Sequence, residues 1–164
     1  MRRLLAIAAG LAILAAVNWT IYARERLLAE GRIVLLELAP VDPRSLMQGD
    51  YMALRFKAAD DAFGPFLRDT APDGRLVVRL DERGVGRYLR RDDGAALGEG
   101  EVALRYRVRA GRVKFATNAF FFEEGTAARY QLARYGEFRV APSGELLLTG
   151  LRGADLERLG AARD

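Results

Sequence analysis

Hydrophobic and polar positions divide the chain into one long apolar block and a series of short alternating ones. Leu4 to Ala23 is 20 residues without a charge, the length a helix needs to cross the hydrocarbon core of a bilayer. Leu4 to Val17 is apolar throughout apart from Gly10. Asn18, Trp19, Thr20 and Tyr22 then make an interfacial end, where Trp and Tyr are favoured. A cleaved signal peptide has an apolar centre of similar length, but no clean Ala-x-Ala site followed by a polar start is present. An uncleaved anchor fits better. A helix buried in a soluble core fits worse than either, because the block is apolar on all faces. "RERLLAEG" (24–31) continues as a short amphipathic segment ending at Gly31.

Beyond the anchor the period changes from helical to two. "RIVLLEL" (32–38) is short and rich in β-branched and aliphatic residues, which predicts a strand. A second strand is predicted over Tyr51 to Lys57. Residues 59–74 read as a loop with one helical turn, punctuated by Gly64-Pro65 and Pro72-Asp73-Gly74. "RLVVRLD" and "GVGRYLRR" flank Asp81-Glu82-Arg83 as a hairpin. In "EVALRYRVRAGRVKFATNAFFF", Val102, Leu104, Tyr106 and Val108 alternate with Ala103, Arg105, Arg107 and Arg109. That is a half-buried strand with its Arg side outward, followed by a turn at Ala110-Gly111 and a return strand through Val113, Phe115 and Thr117. Three alternating Arg make a solvated face; an anion- or lipid-headgroup-binding stripe needs more than alternation.

"EEGTAARYQLARYGEF" predicts a helix over about 126–135, capped by Thr126 and ended by Gly136, with Glu123 and Glu124 at its positive end. "EFRVA" and "ELLLTGL" close the series around Pro142-Ser143-Gly144, and residues 153–164 read as a polar helical tail. The sum is six to eight strands and one helix after the anchor, mostly joined by hairpin-sized turns. This is a mainly β (α+β) class: an N-terminal transmembrane helix, then a largely antiparallel barrel or sandwich with one covering helix. The predicted division is an anchor over 1–26 and a β-rich domain over 27–164.

Composition narrows the chemistry. The chain has 164 residues and neither Cys nor His, which removes disulfides, thiolate nucleophiles, imidazole bases and most zinc or haem sites; no cofactor or metal is expected. Lys and Arg number 26 against 22 Asp and Glu. Residues 1–26 hold Arg2, Arg3, Arg24 and Arg26 against Glu25, so the other 138 residues carry 22 against 21. The basic excess flanks the apolar block rather than lying on a folded surface, which argues against nucleic acid as a partner. Two Arg and the terminal amine before the block, against two Arg and a Glu after it, orient the N-terminus to the cytoplasm. The remainder would then be periplasmic or extracellular, tethered to the inner (cytoplasmic) membrane through residues 4–23.

"VDPRSLMQGDYMALRF" (41–56) is the most unusual stretch. Asp42-Pro43 has the form of an N-cap with Pro at N1, Arg44 to Gln48 one helical turn, and Gly49 the left-handed residue that ends it. Asp50 would bond backbone amides entering a strand in which Met52, Leu54 and Phe56 share one face and Tyr51, Ala53 and Arg55 the other. "GDYMALRF" resembles the signature of the GDYXXLXY family of bacterial membrane-associated proteins: Gly49, Asp50, Tyr51 and Leu54 match, and Phe56 stands where the pattern has Tyr. "APVDPRSLMQ" is similar to the family's lead-in, and "FFFEEGTAARYQLARYGEFRVAPSGELLLTGL" (120–151), with Glu124-Gly125, is similar to its second block. The resemblance implies a single-span protein with an exported domain, set beside multi-span membrane proteins. It brings no activity with it.

Three function classes stay open at this point. In the first, the domain is a non-catalytic interaction module, with Gly49, Asp50, Tyr51, Leu54, Phe56, Glu124 and Gly125 shaping a turn or a partner surface. The second is a Ser–Lys hydrolase. A single span, a β-rich domain and a Ser-Leu…Gly-Asp string faintly resemble type I signal peptidases, with Ser45 and Lys114 as the candidate pair. The nucleophile of those enzymes lies further before Gly-Asp, near Val41 here. The third is carboxylate chemistry by Asp50 with Glu123 and Glu124, which requires the two blocks to meet in space.

Overall fold

The computed structural model describes residues 2–39, 47–48, 51–64 and 71–160. The apolar block forms α1, Arg2–Glu30, a 29-residue helix of roughly 44 Å. An 18-residue window of it is apolar enough to span a membrane and wholly exposed. Its last turn joins the rest of the molecule. Gly31 N donates to Leu27 O at 3.0 Å, Leu27 is buried, and Arg139 Nη1 donates to Gly31 O at 2.9 Å. Arg24 bridges to Glu145 at 3.0 Å.

Eleven described strands follow: β1 (Arg32–Glu37), β2 (Met47–Gln48), β3 (Tyr51–Ala53), β4 (Asp73–Leu80), β5 (Val85–Arg91), β6 (Glu101–Arg109), β7 (Arg112–Lys114), β8 (Ala119–Phe121), β9 (Tyr135–Val140), β10 (Leu146–Arg152) and β11 (Arg158–Leu159). A second helix, α2, covers Lys57–Phe63. Eight strands form one sheet in the order β11-β10-β9-β1-β5-β4-β6-β7, and β2-β3-β8 form a second. The fold is mostly β, with antiparallel curled sheets. Arg105 N on β6 donates to Gly144 O in the β9–β10 turn at 2.8 Å, so β6 meets a turn between strands far from it in the sheet order.

The centre of the large sheet departs from the hairpin pattern. β1 pairs antiparallel with β9 (Val34↔Phe138) but parallel with β5 (Leu35↔Val85). Val34, Leu35 and Leu36 are consecutive and all buried. A strand covered on both faces reads as a continuous apolar run rather than an alternation, as "VLL" (34–36) does. The parallel partner requires a crossover, and α2 lies within it, burying Ala58, Ala59 and Phe63 in the core.

Phe56 is the hub of that core. It is 1% exposed, and its ring meets Phe115 (5.9 Å) and Phe138 (5.3 Å) edge-on. Both distances lie in the favourable range for edge-to-face rings. Gly136 makes room for it: a Cβ there would sit 2.9 Å from Phe56 Cε1 and 3.2 Å from Phe138 Cε2. Gly136→Ala is therefore expected to cost about 1–3 kcal/mol by overpacking, read as a lower urea midpoint with an unchanged slope.

Several expectations are corrected. The predicted helix over 126–135 is a single 3₁₀ turn, Ala127–Tyr130. Thr126 Oγ1 donates back to Glu123 O at 2.6 Å instead of capping forward amides, and Tyr130 is held by stacking on Phe122 (5.4 Å). The covering helix is instead α2, which begins at the end of the predicted strand and takes up the single helical turn expected within 59–74. The strand from Tyr51 stops at Ala53, because Phe56 turns inward and Phe56 O accepts from Ala59 N at 3.0 Å to begin the helix. The return strand ends at Lys114, after which Phe115 is buried and the chain passes to β8 in the other sheet. The tail carries a strand: β11 pairs with β10 (Leu151↔Leu159). Met47 and Gln48 pair with Met52 and Tyr51, so they do not end a helical turn; residues 41–46, Gly49 and Asp50 lie outside the described residues.

Candidate functional site

The short sheet brings the two sequence blocks together. β3 pairs antiparallel with β8 in the register Tyr51↔Phe121, Met52↔Phe120, Ala53↔Ala119. Leu54 N extends the contact by donating to Asn118 O at 2.7 Å. Period two sorts the side chains. Met52, Leu54 and Phe56 are buried, while Tyr51 is half-buried and lies against Phe121, ring centroids 5.8 Å apart. Phe121 itself is 72% exposed. On the inner side Phe120 meets Tyr130 at 5.0 Å. The Tyr that faces away from the core thus pairs with an aromatic of the second block at the surface.

The remaining candidates are scattered. Glu123, Glu124 and Gly125 follow β8 and are exposed. Asp50 and Ser45 lie outside the described residues. Lys114 is exposed at the end of β7. Among the described residues no three acidic side chains cluster as a metal site.

The sequence reading missed Glu137, at the centre of β9 and 4% exposed. Arg152 Nε donates to its Oε2 at 2.5 Å, Thr149 Oγ1 to its Oε1 at 3.1 Å, and Arg158 lies 3.9 Å away. Burial pushes this carboxyl upward; the hydrogen bond and charge of Arg152, then Thr149 and Arg158, outweigh it and hold it below the usual glutamate range. Each of its oxygens accepts a hydrogen bond from a side chain of β10, so it anchors β9 to its neighbour. No local signal marks it, since a Glu between Gly136 and Phe138 looks like an outward position and both Arg partners come from β10 and β11. Asp92 and Glu101 show the same use of acid. Asp92 bonds Arg75 at 2.7 Å. Glu101 takes Arg79 (3.2 Å), Arg90 (3.3 Å) and Gly98 N (3.2 Å).

A family model covers this architecture from inside α1 to β10: the GDYXXLXY protein model matches residues 13–151. The chain belongs to the GDYXXLXY family. Comparison with curated proteins and with solved structures returned no significant match. Of the motif residues described, half-buried Tyr51 on β3 pairs with exposed Phe121, Leu54 is a buried contact, and Phe56 is the hub of the core. At 1% exposure, the hydroxyl of the Tyr in the family pattern would need a protein partner at this position.

Proposed function

We propose that the protein is a membrane-tethered accessory domain that binds a multi-span membrane partner and carries out no catalysis of its own. The observation that carries this reading is α1, apolar on all faces, fully exposed along its apolar window and clasped to the β sheet at Leu27 and Gly31. A helix that leaves so much apolar surface to its surroundings is suited to lipid and to neighbouring helices. The flanking Arg pattern favours a β domain outside the cytoplasm, as an exported module. The Tyr51–Phe121 pair supplies a surface for a partner, since Tyr is among the residues enriched in binding hot spots and Phe is enriched at interfaces. The buried carboxylates Glu137 and Asp92 are engaged by Arg, which supports a structural role for them.

The test is recovery of the full chain from membranes after mild cross-linking, with co-purifying proteins identified by mass. A multi-span protein recovered with the wild type, and depleted about tenfold or more for Phe121→Ala on the usual cost of a hot-spot aromatic, is the expected result. A chain that runs alone and monomeric in detergent would overturn the proposal.

A further inference from the structure

Where α1 leaves its apolar run, the sheet forms a groove of about 320 Å³. Four cations line it, Arg24, Arg105, Arg107 and Lys114, against one carboxylate, Glu145. Arg24 already occupies Glu145 at 3.0 Å. Arg107 is 3.9 Å from Asp73, which it shares with Arg109 at 3.6 Å. Among the described residues Arg105 and Lys114 have no ion-pair partner. The groove on the other side of the Arg24–Glu145 bridge, about 440 Å³, differs: Arg24 and Arg26 are balanced there by Glu30 and Glu145, and Arg26 bonds Glu30 at 2.7 Å. The unbalanced positive charge therefore belongs to one groove, built from α1, β6, β7 and β10.

We infer that this groove holds the phosphate of an anionic lipid headgroup from the bilayer that α1 enters. The inference rests on the proposed membrane anchoring, and depth chooses the ligand. Arg24 is the first charge after the apolar run, so the groove begins where the hydrocarbon ends. Leu27, already buried against the sheet, is four residues past Ala23, about 6 Å along the helix axis. The headgroup layer on each side of a bilayer is roughly 5–8 Å thick. A rigid helix thus sets the cationic groove at the level of the lipid phosphates. Three guanidiniums with a lysine beside them suit phosphate oxygens, the Arg by paired N–H donors and the Lys as a point charge. The alternation of Arg105 and Arg107 places both on one strand face, and Arg24 and Lys114 make that face converge on a small anion.

The test uses the full chain in a non-ionic detergent, titrated with phosphatidylglycerol or phosphatidylcholine of the same acyl chains, with retained lipid counted by native mass spectrometry. The wild type is expected to retain phosphatidylglycerol in preference, and to lose it as salt is raised. The double variant R105Q/K114Q should lower retention about tenfold or more, given what each basic residue contributes near an anionic surface. Arg112→Gln, exposed on the same hairpin but outside the groove, should not. Equal retention of the two lipids, or an unchanged double variant, overturns the inference. Displacement of the lipid by inorganic phosphate at equal concentration overturns the lipid as the occupant. Alkaline carbonate extraction of the wild type from membranes separates the two claims. A chain that is extracted loses the anchor reading whatever the groove binds. A chain that stays embedded while the double variant still retains phosphatidylglycerol loses the groove alone.

Discussion

Truncating Phe56 to alanine should lower the stability of the full chain by about 3–5 kcal/mol, the cost of emptying a fully buried aromatic site. The reason is geometric. Phe56 closes the turn from β3 into α2, and its ring lies between Phe115, which leads from the large sheet to the small one, and Phe138 on the central strand β9. Removing it deprives three elements of one shared contact. The cavity cannot collapse easily, because Phe138 is fixed by pairing with Val34. Phe56→Leu keeps most of the volume and should cost about 1–1.5 kcal/mol, the range of shape-changing swaps. Urea titration of the detergent-solubilised chain, followed by far-ultraviolet circular dichroism, separates the two. Equal and small losses for both variants would show that the hub assignment is wrong.

Removing Glu137 should be the second most damaging single change. Glu137→Ala is expected to cost about 2–3 kcal/mol, since it leaves Arg152 without its carboxylate and strips an acceptor from Thr149. The figure is kept below that of a fully buried pair because Arg152 is 27% exposed and reaches water. The pH dependence has a definite sign. The folded carboxyl titrates below its unfolded value, so its stabilising contribution is complete above the unfolded pKa and is lost as pH falls through the folded one. Midpoints of the wild type should therefore fall in the acid range below about pH 4.5, and Glu137→Gln should flatten that fall. With no His in the chain, no comparable change is expected between pH 6 and 8. A Glu137→Gln profile parallel to the wild type down to low pH would remove Glu137 from the account of acid sensitivity.

Local pattern carried the reading of some elements and not others. The apolar run of α1, the Asp81 hairpin and the Ala110-Gly111 hairpin all rest on contacts between residues close in sequence, so periodicity and turn chemistry describe them. Both Ala110 (φ 50°) and Gly111 (φ 67°) take the left-handed conformation that a tight hairpin turn requires. The segment after Glu124 failed for a related reason. Its Ala residues favour a helix, but Tyr130 packs on Phe120 and Phe122, which come from outside the segment, and the backbone keeps one 3₁₀ turn. The start of α2, ahead of the helical turn expected within 59–74, was not legible because "FKAADDAF" begins in the same register as the strand before it, and only the inward seat of Phe56 ends one and starts the other.

The sequence by itself determined the class of molecule: one segment long and apolar enough to span a bilayer, a β-rich remainder, a chemistry without thiol or imidazole, and the family motif. Those properties are sums over residues or patterns within a few positions, and no distant partner alters them. Tertiary structure alone decided that Tyr51 meets Phe121, that β1 runs parallel to β5, that Glu137 is buried among Arg152, Thr149 and Arg158, and that Arg24 joins Arg105 and Lys114 around one groove. Each of these joins residues between 12 and 90 positions apart. A charged or aromatic side chain exposes nothing about such a partner in its own neighbourhood, because burial and charge balance are properties of the space the whole chain encloses.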